Sequence, residues 1–373
     1  MIDPSRRKFI RQSSLAVAGA LSSPAMVTSK AQPDAIKFKT DVADKKLIAE
    51  LEQSIPQMMQ EFSVPGLSIA LIKGAKIVFS KGFGVRNVDT REPVNTETVF
   101  EAASLSKPVF AYAALKLCDK GLLKLDEPLS NYLPAPYIAD EPRIKLVTMR
   151  HVLTHTPGFP NWRRNATLNF INNPGEKFSY SGEGFVYLQT VVEQITRQPL
   201  QAFLKQEIFE PFAMPASSFI WRESYASITA FGHDPQGKSS EKMKPARANA
   251  AASMHTTATE YAKFIVEIIR QNSKNTSHVS EKVATDMLKP QVKVNDSLAW
   301  GLGWGIQQPK SEESYFHWGN NNNRFKNFVV FSGNRKIALV VFTNSGNGLK
   351  LCKKLVPQAI GGDHPAFSWS MVN

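Results

Sequence analysis

Strand-like patterns near both ends of this 373-residue chain constrain its fold more than any other feature. Near the start, residues 67–72 and 76–85 read as strands, and residues 73–75 supply a hairpin turn between them. From Ala299 onward the hydrophobic period returns to two. Four further strands are predicted there, at residues 302–307, 315–318, 327–331 and 336–343. Strands from both ends around a helical middle predict an α/β (α+β) fold, in which one antiparallel sheet is flanked by helices and a mostly helical lobe is inserted.

Helical periodicity accounts for most of the remaining pattern. Besides a helix that starts near residue 107, the predicted helices cover residues 45–62, 147–154, 185–196, 200–209, 257–271 and 349–360. The first of them is expected to be interrupted near Pro56. We predict a single domain over residues 32–373, with a sheet lobe at about 40–103 and 296–373 and a helical lobe at 104–295.

The N-terminus has the pattern of an export signal. Arg6 and Arg7 precede a mildly apolar stretch at 13–27, which serines and Pro24 make too short and too polar to span a membrane. Residues 29–31 form a cleavage site. We expect residues 1–31 to be a signal peptide of the twin-arginine type and the mature chain to be periplasmic or extracellular. An ordinary secretory signal with a chance arginine pair is the alternative.

The net charge of +13 makes the chain basic, but its Lys and Arg residues are scattered. No zinc-finger, base-stacking or recognition-helix pattern accompanies them, which argues against nucleic acid as a partner. Anionic envelope polymers and small substrates that carry a carboxylate fit the charge better. Cys118 and Cys352 lie on apolar helix faces and are interpreted as buried small hydrophobes rather than as a disulfide.

Ser104 and Lys107 are the first candidate catalytic pair. Residues at i and i+3 share one helix face, so the amine can reach the hydroxyl. The positive end of the helix dipole and partial burial both favour a neutral, basic Lys, and such a base can activate a serine hydroxyl. The same spacing recurs at Ser5 and at Ser239, yet only Ser104 precedes a strongly periodic helix. A helix start with an incidental Lys is the structural alternative.

Two further segments are candidates for the same cleft. Tyr180 lies on a loop that leads into the helix predicted at 185–196, where a neighbouring cation would favour its ionised, basic form. His317 and Gly319 share one strand face: the glycine leaves room for a substrate, and the histidine can donate a hydrogen bond or charge to a substrate carboxylate. Taken alone, each segment is equally typical of ordinary packing.

In this order, the Ser-x-x-Lys helix, the Tyr loop and the His-x-Gly strand resemble the serine β-lactamase and penicillin-binding protein superfamily, and most closely its class C-like branch. That branch includes D-alanyl-D-alanine carboxypeptidases and esterases. The resemblance implies that Ser104 is acylated, that Lys107 and Tyr180 share the proton transfers, and that the backbone amides of Ser104 and Asn320 form the oxyanion hole. It implies no metal or organic cofactor, and an ester, a D-amino-acid peptide or a peptidoglycan-like molecule as substrate.

Two positions depart from the superfamily pattern. Gly182 stands where relatives usually carry an Asn whose side-chain amide contacts the substrate amide and the Lys. His317 stands where many relatives carry a Lys, a replacement that is common among peptidase and esterase relatives. Both departures predict weak or absent β-lactam hydrolysis.

Other functions fit the sequence less well. Gly66 to Ala70 is the nearest match to the Gly-x-Ser-x-Gly motif of α/β-hydrolases, but it ends in Ala and lies within a strand rather than at a strand-to-helix turn. His151 and His155 have metal-ligand spacing without the Glu of the zinc motif, so a helix-to-loop anchor is the better interpretation. A binding protein that lost turnover, and an acyltransferase that uses an acceptor other than water, both stay open at this point.

Overall fold

The computed structural model describes residues 41–164, 167–270, 278–309 and 312–372, so the export signal predicted at 1–31 lies outside the described residues. The helices are α1 (Val42–Glu61), α2 (Ser106–Asp119), α3 (Met149–Leu153), α4 (Gly182–Thr196), α5 (Leu200–Leu204), α6 (Ala258–Arg270), α7 (Glu281–Leu288) and α8 (Gly348–Ile360). The strands are β1 (Gly66–Lys73), β2 (Lys76–Gly84), β3 (Phe100–Glu101), β4 (His255–Thr256), β5 (Val292–Lys293), β6 (Leu298–Trp300), β7 (Gly305–Gln307), β8 (Ser314–Asn321), β9 (Phe325–Ser332) and β10 (Ile337–Thr343).

Eight of these strands form one antiparallel sheet in the order β2-β1-β10-β9-β8-β7-β6-β5. The N-terminal hairpin joins the C-terminal strands through β1 and β10, where Leu67 pairs with Thr343 and Ile72 with Ala338. β3 and β4 form a separate two-stranded ladder next to the start of α2. The predicted sheet built from both chain ends, with helices around it and a largely helical insertion, is confirmed.

The sheet is buried on both faces, as alternate residues of β10 show. Ile337, Leu339 and Val341 belong to the apolar core that includes residues of α1 and α8. The intervening residues, Ala338, Val340 and Phe342, belong to the core that includes residues of α2, α4 and α6. A side-chain period of two therefore places each residue from Ile337 to Phe342 in one core or the other.

Several element boundaries differ from prediction. α1 continues through Pro56, because buried Leu51, Ile55 and Met58 pack its apolar face against the core and outweigh the lost hydrogen bond. The strand predicted at 302–307 begins only at Gly305, and β6, which precedes it, was not predicted. The hairpin turn is as predicted, with Gly74 and Ala75 at φ 57° and 55°.

Three other features bear on the sequence predictions. Cys118 is half-buried, Cys352 is buried, and both are free thiols. Ser68, the serine of the Gly-x-Ser-x-Gly match, lies fully buried within β1, so it is not an exposed nucleophile at a strand-to-helix turn. Among the described residues, no helix has both the length and the apolar character needed to cross a bilayer.

Candidate active site

Ser104 lies in a single 3₁₀ turn, Ala103–Leu105, that leads directly into α2. Ala103 adopts a left-handed conformation at φ 53°, which costs a residue with a Cβ roughly 1–2 kcal/mol and must be held by its surroundings. Those surroundings are close: Ser106 Oγ donates to the Ala103 carbonyl at 2.6 Å, and Tyr261 donates to the Leu105 carbonyl at 3.0 Å. The turn is therefore fixed, with the Ser104 side chain only partly buried and accessible to a substrate.

Lys107 is completely buried, and its Nζ donates to Ser104 Oγ at 3.1 Å and to the Ala251 carbonyl at 2.8 Å. Within the described ranges no carboxylate lies at ion-pair distance from it. Burial lowers the pKa of the Lys107 amine to about 7. A large share of this Lys is therefore neutral near pH 7, with a lone pair available to the Ser104 proton.

Tyr180 lies over Lys107, with Nζ 4.8 Å from the centre of its ring. Burial raises the pKa of the phenol above its usual range, and the nearby Ser104 hydroxyl offsets only part of that rise. The expected ionised, basic Tyr180 is therefore wrong for the unliganded site, because the adjacent Lys is itself largely uncharged. The Tyr180 hydroxyl has no hydrogen-bond partner among the residues described, so its proton is available to a bound substrate.

His155 positions Tyr180 by accepting hydrogen bonds from the residues on either side of it and by stacking on its ring. The His155 carbonyl accepts from the Ser179 amide at 2.7 Å, and His155 Nδ1 accepts from the Ser181 amide at 3.0 Å. The two rings stack with centroids 4.1 Å apart. Burial, and then the charges of Lys107 and His317, hold the pKa of His155 well below its usual value, so the ring is neutral. This geometry agrees with the interpretation of His155 as an anchor, but no sequence pattern indicated that the anchored residue would be Tyr180.

His317 is on β8, fully buried, with its ring centre 6.3 Å from that of Tyr180. Its Nδ1–H donates to the Trp318 carbonyl at 2.9 Å, since a carbonyl can only accept. Burial, and after it the charge of Lys107, lowers the pKa of His317 to about 3. In the unliganded site the neutral ring has only the bare Nε2 left, which is an acceptor, so His317 does not carry the expected charge there; its contact with a substrate carboxylate stays a prediction.

Gly319 brings β8 against the Ser104 turn. A Cβ at this position would lie 2.4 Å from the Ala102 carbonyl oxygen and 3.2 Å from the Ala103 Cβ, so only glycine permits the contact. Asn320 follows on the same strand, and its side chain accepts from the Asn323 amide at 3.0 Å, which shapes the turn after β8. That the backbone amides of Ser104 and Asn320 form an oxyanion hole stays a prediction.

Gly182, where relatives usually carry Asn, is the first residue of α4. A Cβ on it would lie 2.7 Å and 2.8 Å from two indole carbons of Trp162. The Trp162 ring is also 6.0 Å from Lys107 Nζ, and the residue is 43% exposed. Trp162 was not among the predicted site residues, because its contact with Gly182 joins positions 20 residues apart and leaves no local pattern.

The metal-site alternative is not supported by the placement of its two histidines. His151 Nδ1 accepts from the Thr148 amide as part of the N-terminal cap of α3, and His155 Nδ1 accepts from Ser181 as described. No group of three or more metal-ligating side chains occurs in the part of the chain that the structure describes. The residues that converge are instead Ser104, Lys107 and Tyr180, which bring together a hydroxyl, an amine and a phenol, the kinds of group that an acyl transfer uses.

Comparison with known proteins points to the same family. A family model described as Beta-lactamase matches residues 51–354. Protein flp of Staphylococcus aureus (strain MRSA252) is 24% identical over 347 residues, which are 87% of this chain and 68% of that protein. In strain N315 the matched share of flp is 62%. Esterase EstB of Burkholderia gladioli is 29% identical over 236 residues, 54% of this chain and 58% of EstB.

Solved structures agree with the fold. The octameric penicillin-binding protein homologue from Pyrococcus abyssi superposes with a TM-score of 0.72 at 26% identity, covering 83% of this chain and 76% of that one. The D-alanine carboxypeptidase AmpC from Burkholderia cenocepacia gives a TM-score of 0.70 at 18% identity, covering 84% and 99%. The second match speaks for the fold alone.

Proposed function

This chain belongs to the beta-lactamase family, and from that premise we propose that it is a serine hydrolase that cleaves carboxylic esters through an acyl-enzyme on Ser104. The observation that carries the proposal is Lys107, a fully buried amine with a pKa of about 7 and its Nζ 3.1 Å from Ser104 Oγ. A buried Lys without a carboxylate partner costs stability, and such a cost is typical of a group kept for chemistry.

The first step follows from these contacts. As Ser104 Oγ attacks the ester carbonyl carbon, its proton passes to the Lys107 lone pair, while one Lys107 N–H stays bonded to the Ala251 carbonyl. The carbonyl π bond becomes an oxyanion, which the amides of Ser104 and Asn320 stabilise in this proposal. The new positive charge on Lys107 lies 4.8 Å from the Tyr180 ring and 5.6 Å from the Phe185 ring, and both faces attract a cation.

Collapse of the oxyanion then breaks the bond to the leaving alcohol. The neutral Tyr180 phenol donates its proton to the departing oxygen and recovers one from the Lys107 ammonium, which restores the neutral amine. Water repeats the sequence on the acyl-enzyme and releases the carboxylic acid. Tyr180 therefore acts as a proton relay between Lys107 and the leaving group.

The geometry favours an ester over a D-alanyl peptide or a β-lactam. Those two substrates carry a carboxylate, but His317 is neutral and presents only an acceptor nitrogen. Position 182 also lacks the side-chain amide that would bind an acyl amide. The named similarity to an esterase supports the same choice.

A panel of p-nitrophenyl esters, D-alanyl peptides and nitrocefin, ranked by kcat/KM, tests the proposal. We expect the best ester to exceed both other classes at least about tenfold, and fluorophosphonate to label the wild type but not Ser104→Ala. Labelling that survives Ser104→Ala would refute the nucleophile. A nitrocefin or D-alanyl peptide rate equal to the best ester would refute the ester preference.

Two outcomes of the same panel separate the alternatives. Acylation without steady turnover of any substrate would identify a binding protein that is acylated but does not hydrolyse. Turnover that rises with added alcohol, and yields a new ester, would identify an acyltransferase, because both reactions share the acyl-enzyme.

We also propose that the protein is exported through residues 1–31, on the strength of the Arg6-Arg7 pair and the short apolar stretch that follows. The test is the amount of protein in periplasmic and cytoplasmic fractions for the wild type and for a variant with both arginines changed to Lys. Retention of the variant inside the cell is the expected result. Equal export of both proteins would point to an ordinary secretory signal.

A further inference from the structure

The segment that carries Trp162 is fastened to the start of α4 on both sides of the indole. The Gly182 amide donates to the carbonyl and to the side-chain oxygen of Asn161, each at 3.0 Å. Arg163 binds Glu183 through its backbone amide at 3.0 Å, its Nε at 2.9 Å and its Nη2 at 2.6 Å. Glu183 is buried, so this ion pair is a strong anchor. The backbone on both sides of Trp162 is therefore held against the start of α4.

Between these anchors the indole occupies the space in front of Gly182. The nearest indole carbons, Cη2 and Cζ2, lie 2.7 Å and 2.8 Å from the position of a Cβ on residue 182. Real Cβ atoms do not approach other atoms so closely, so any side chain at 182, and the usual Asn above all, would displace the ring. The Trp162 indole thus fills the space beside Gly182 that the Asn side chain of relatives would need, and an aromatic surface lies there in place of the Asn amide.

The same ring borders the reacting groups. Its centre lies 6.0 Å from Lys107 Nζ, which is 3.1 Å from Ser104 Oγ. Although it is packed against Gly182, Trp162 remains 43% exposed, so part of its surface faces solvent. A large aromatic surface held half-exposed beside a reactive centre is suited to bind an apolar group.

We propose that Trp162 is a specificity-determining residue whose indole forms the wall of the acyl-binding site, so that the enzyme selects esters with an extended aliphatic or aromatic acyl group. The inference rests on the proposed ester hydrolysis. It assigns the acyl side because position 182, which Trp162 covers, is where the resemblance to β-lactamases places contact with the substrate amide. An apolar acyl chain gains contact area on the indole, whereas a peptidyl amide finds no partner there.

The test compares kcat/KM for p-nitrophenyl hexanoate and p-nitrophenyl acetate, which share a leaving group and differ only in the acyl chain. We expect the hexanoate-to-acetate ratio to be about tenfold or more in the wild type, to fall at least about fivefold in Trp162→Ala, and to stay within about twofold in Trp162→Phe. A ratio unchanged in Trp162→Ala would overturn the inference. The inference would also be overturned if Trp162→Ala changed kcat/KM only within a series of acetate esters with longer alcohols, because that result would place the indole on the leaving-group side.

Gly182→Ala gives an independent measurement, because its methyl group must displace the indole, whose carbons lie at 2.7 Å and 2.8 Å, whereas the Asn161 carbonyl oxygen at 3.0 Å need shift by only a few tenths of an ångström. The ratio should fall as it does in Trp162→Ala, and an unaltered ratio in a folded Gly182→Ala protein would count against the inference even if Trp162→Ala proved unstable. Leu122→Ala, an equally exposed apolar residue beyond the far end of α2, is the matched control and should keep the wild-type ratio. Wild-type protein that hydrolyses no ester faster than Ser104→Ala would instead refute the proposed function, and this inference with it.

Discussion

A lysine is buried at each end of α2, but only one of the two is paired with a carboxylate. Lys116, in the last turn, is 5% exposed, and its Nζ lies 2.8 Å from Glu207 Oε2. Lys107, in the first turn, is 0% exposed and has a hydroxyl and a carbonyl as partners instead of a carboxylate. The helix dipole favours a cation in the last turn, where Lys116 lies, and disfavours one in the first turn, where Lys107 lies.

This difference separates a lysine kept for structure from a lysine kept for chemistry. A buried ammonium is tolerated when a carboxylate neutralises it, and Glu207 does so for Lys116. Where no such partner is supplied, burial moves the pKa instead, and Lys107 reaches about 7. One helix thus holds a lysine that is paired with a carboxylate and, beside Ser104, a lysine that the proposed function uses as a base.

Replacing each lysine by methionine should separate the two roles most strongly. Lys107→Met removes the base, and we expect kcat/KM for a p-nitrophenyl ester to fall about 10³-fold or more, as for other general-base and nucleophile-activating groups. Lys116→Met leaves the site intact, and its kcat/KM should stay within about threefold of the wild type. Steady-state kinetics on both purified variants measures the contrast. Comparable losses in the two variants would show that Lys107 is a structural residue like Lys116.

Tyr180→Phe tests whether the proton taken up by Lys107 reaches the leaving alcohol through the Tyr180 hydroxyl. We expect the loss to depend on the leaving group: about 10²-fold for an ethyl ester, whose alkoxide must be protonated, and less than about tenfold for the p-nitrophenyl ester. The measurement is kcat/KM for both esters of the same acid. An equal loss with both leaving groups would show that Tyr180 shapes the site without transferring a proton.

The pH dependence of kcat/KM reports the Lys107 ionisation in the free enzyme. The amine acts as a base only when neutral, and burial lowers its pKa to about 7, so activity is present above that pH and is lost as the pH falls through it. Between pH 8 and pH 6 we expect roughly a tenfold decrease, since one proton is involved. Lys116→Met should show the same profile. A rate that stays flat from pH 8 to pH 5.5 would contradict the assignment.

The sequence predicted those parts of the molecule that depend on local patterns. The hairpin, the C-terminal strands and the Ser104–Lys107 pair each follow from a period or a spacing within a few residues. The short strand β6 escaped prediction because three residues are too few to establish a period. Pro56 was expected to interrupt α1, but the packing of that helix overrides the local preference.

The site was less predictable wherever its properties depend on contacts between distant segments. The ionisation of Tyr180 was expected from a nearby cation and that of His317 from its residue type, whereas the pKa of each is shifted mainly by burial against residues of other elements. His155 contacts Tyr180 from 25 residues away, and Trp162 fills the space beside Gly182 from 20 residues away. A substitution in one segment that is compensated in another cannot be recognised from either segment alone.

The smallest predicted effect is the contribution of Lys116 to the stability of the fold. Lys116→Met removes one of two cations that pair with Glu207, whose side chain is 10% exposed, and Lys120 remains at 2.6 Å. We expect the free energy of unfolding at pH 7, measured in urea, to fall by about 2 kcal/mol, which is less than for an ion pair that loses its only partner.

The pH dependence of this loss follows from Glu207. Burial raises the pKa of Glu207, but the hydrogen bonds from Lys116 and Lys120 outweigh this effect and hold the pKa below its usual value. Stabilisation of this kind is present above the unfolded-state pKa and is lost in acid, so the difference between the two proteins should narrow below about pH 4. A difference that grows on acidification would mean that Lys116 stabilises the fold by its packing and not by its charge.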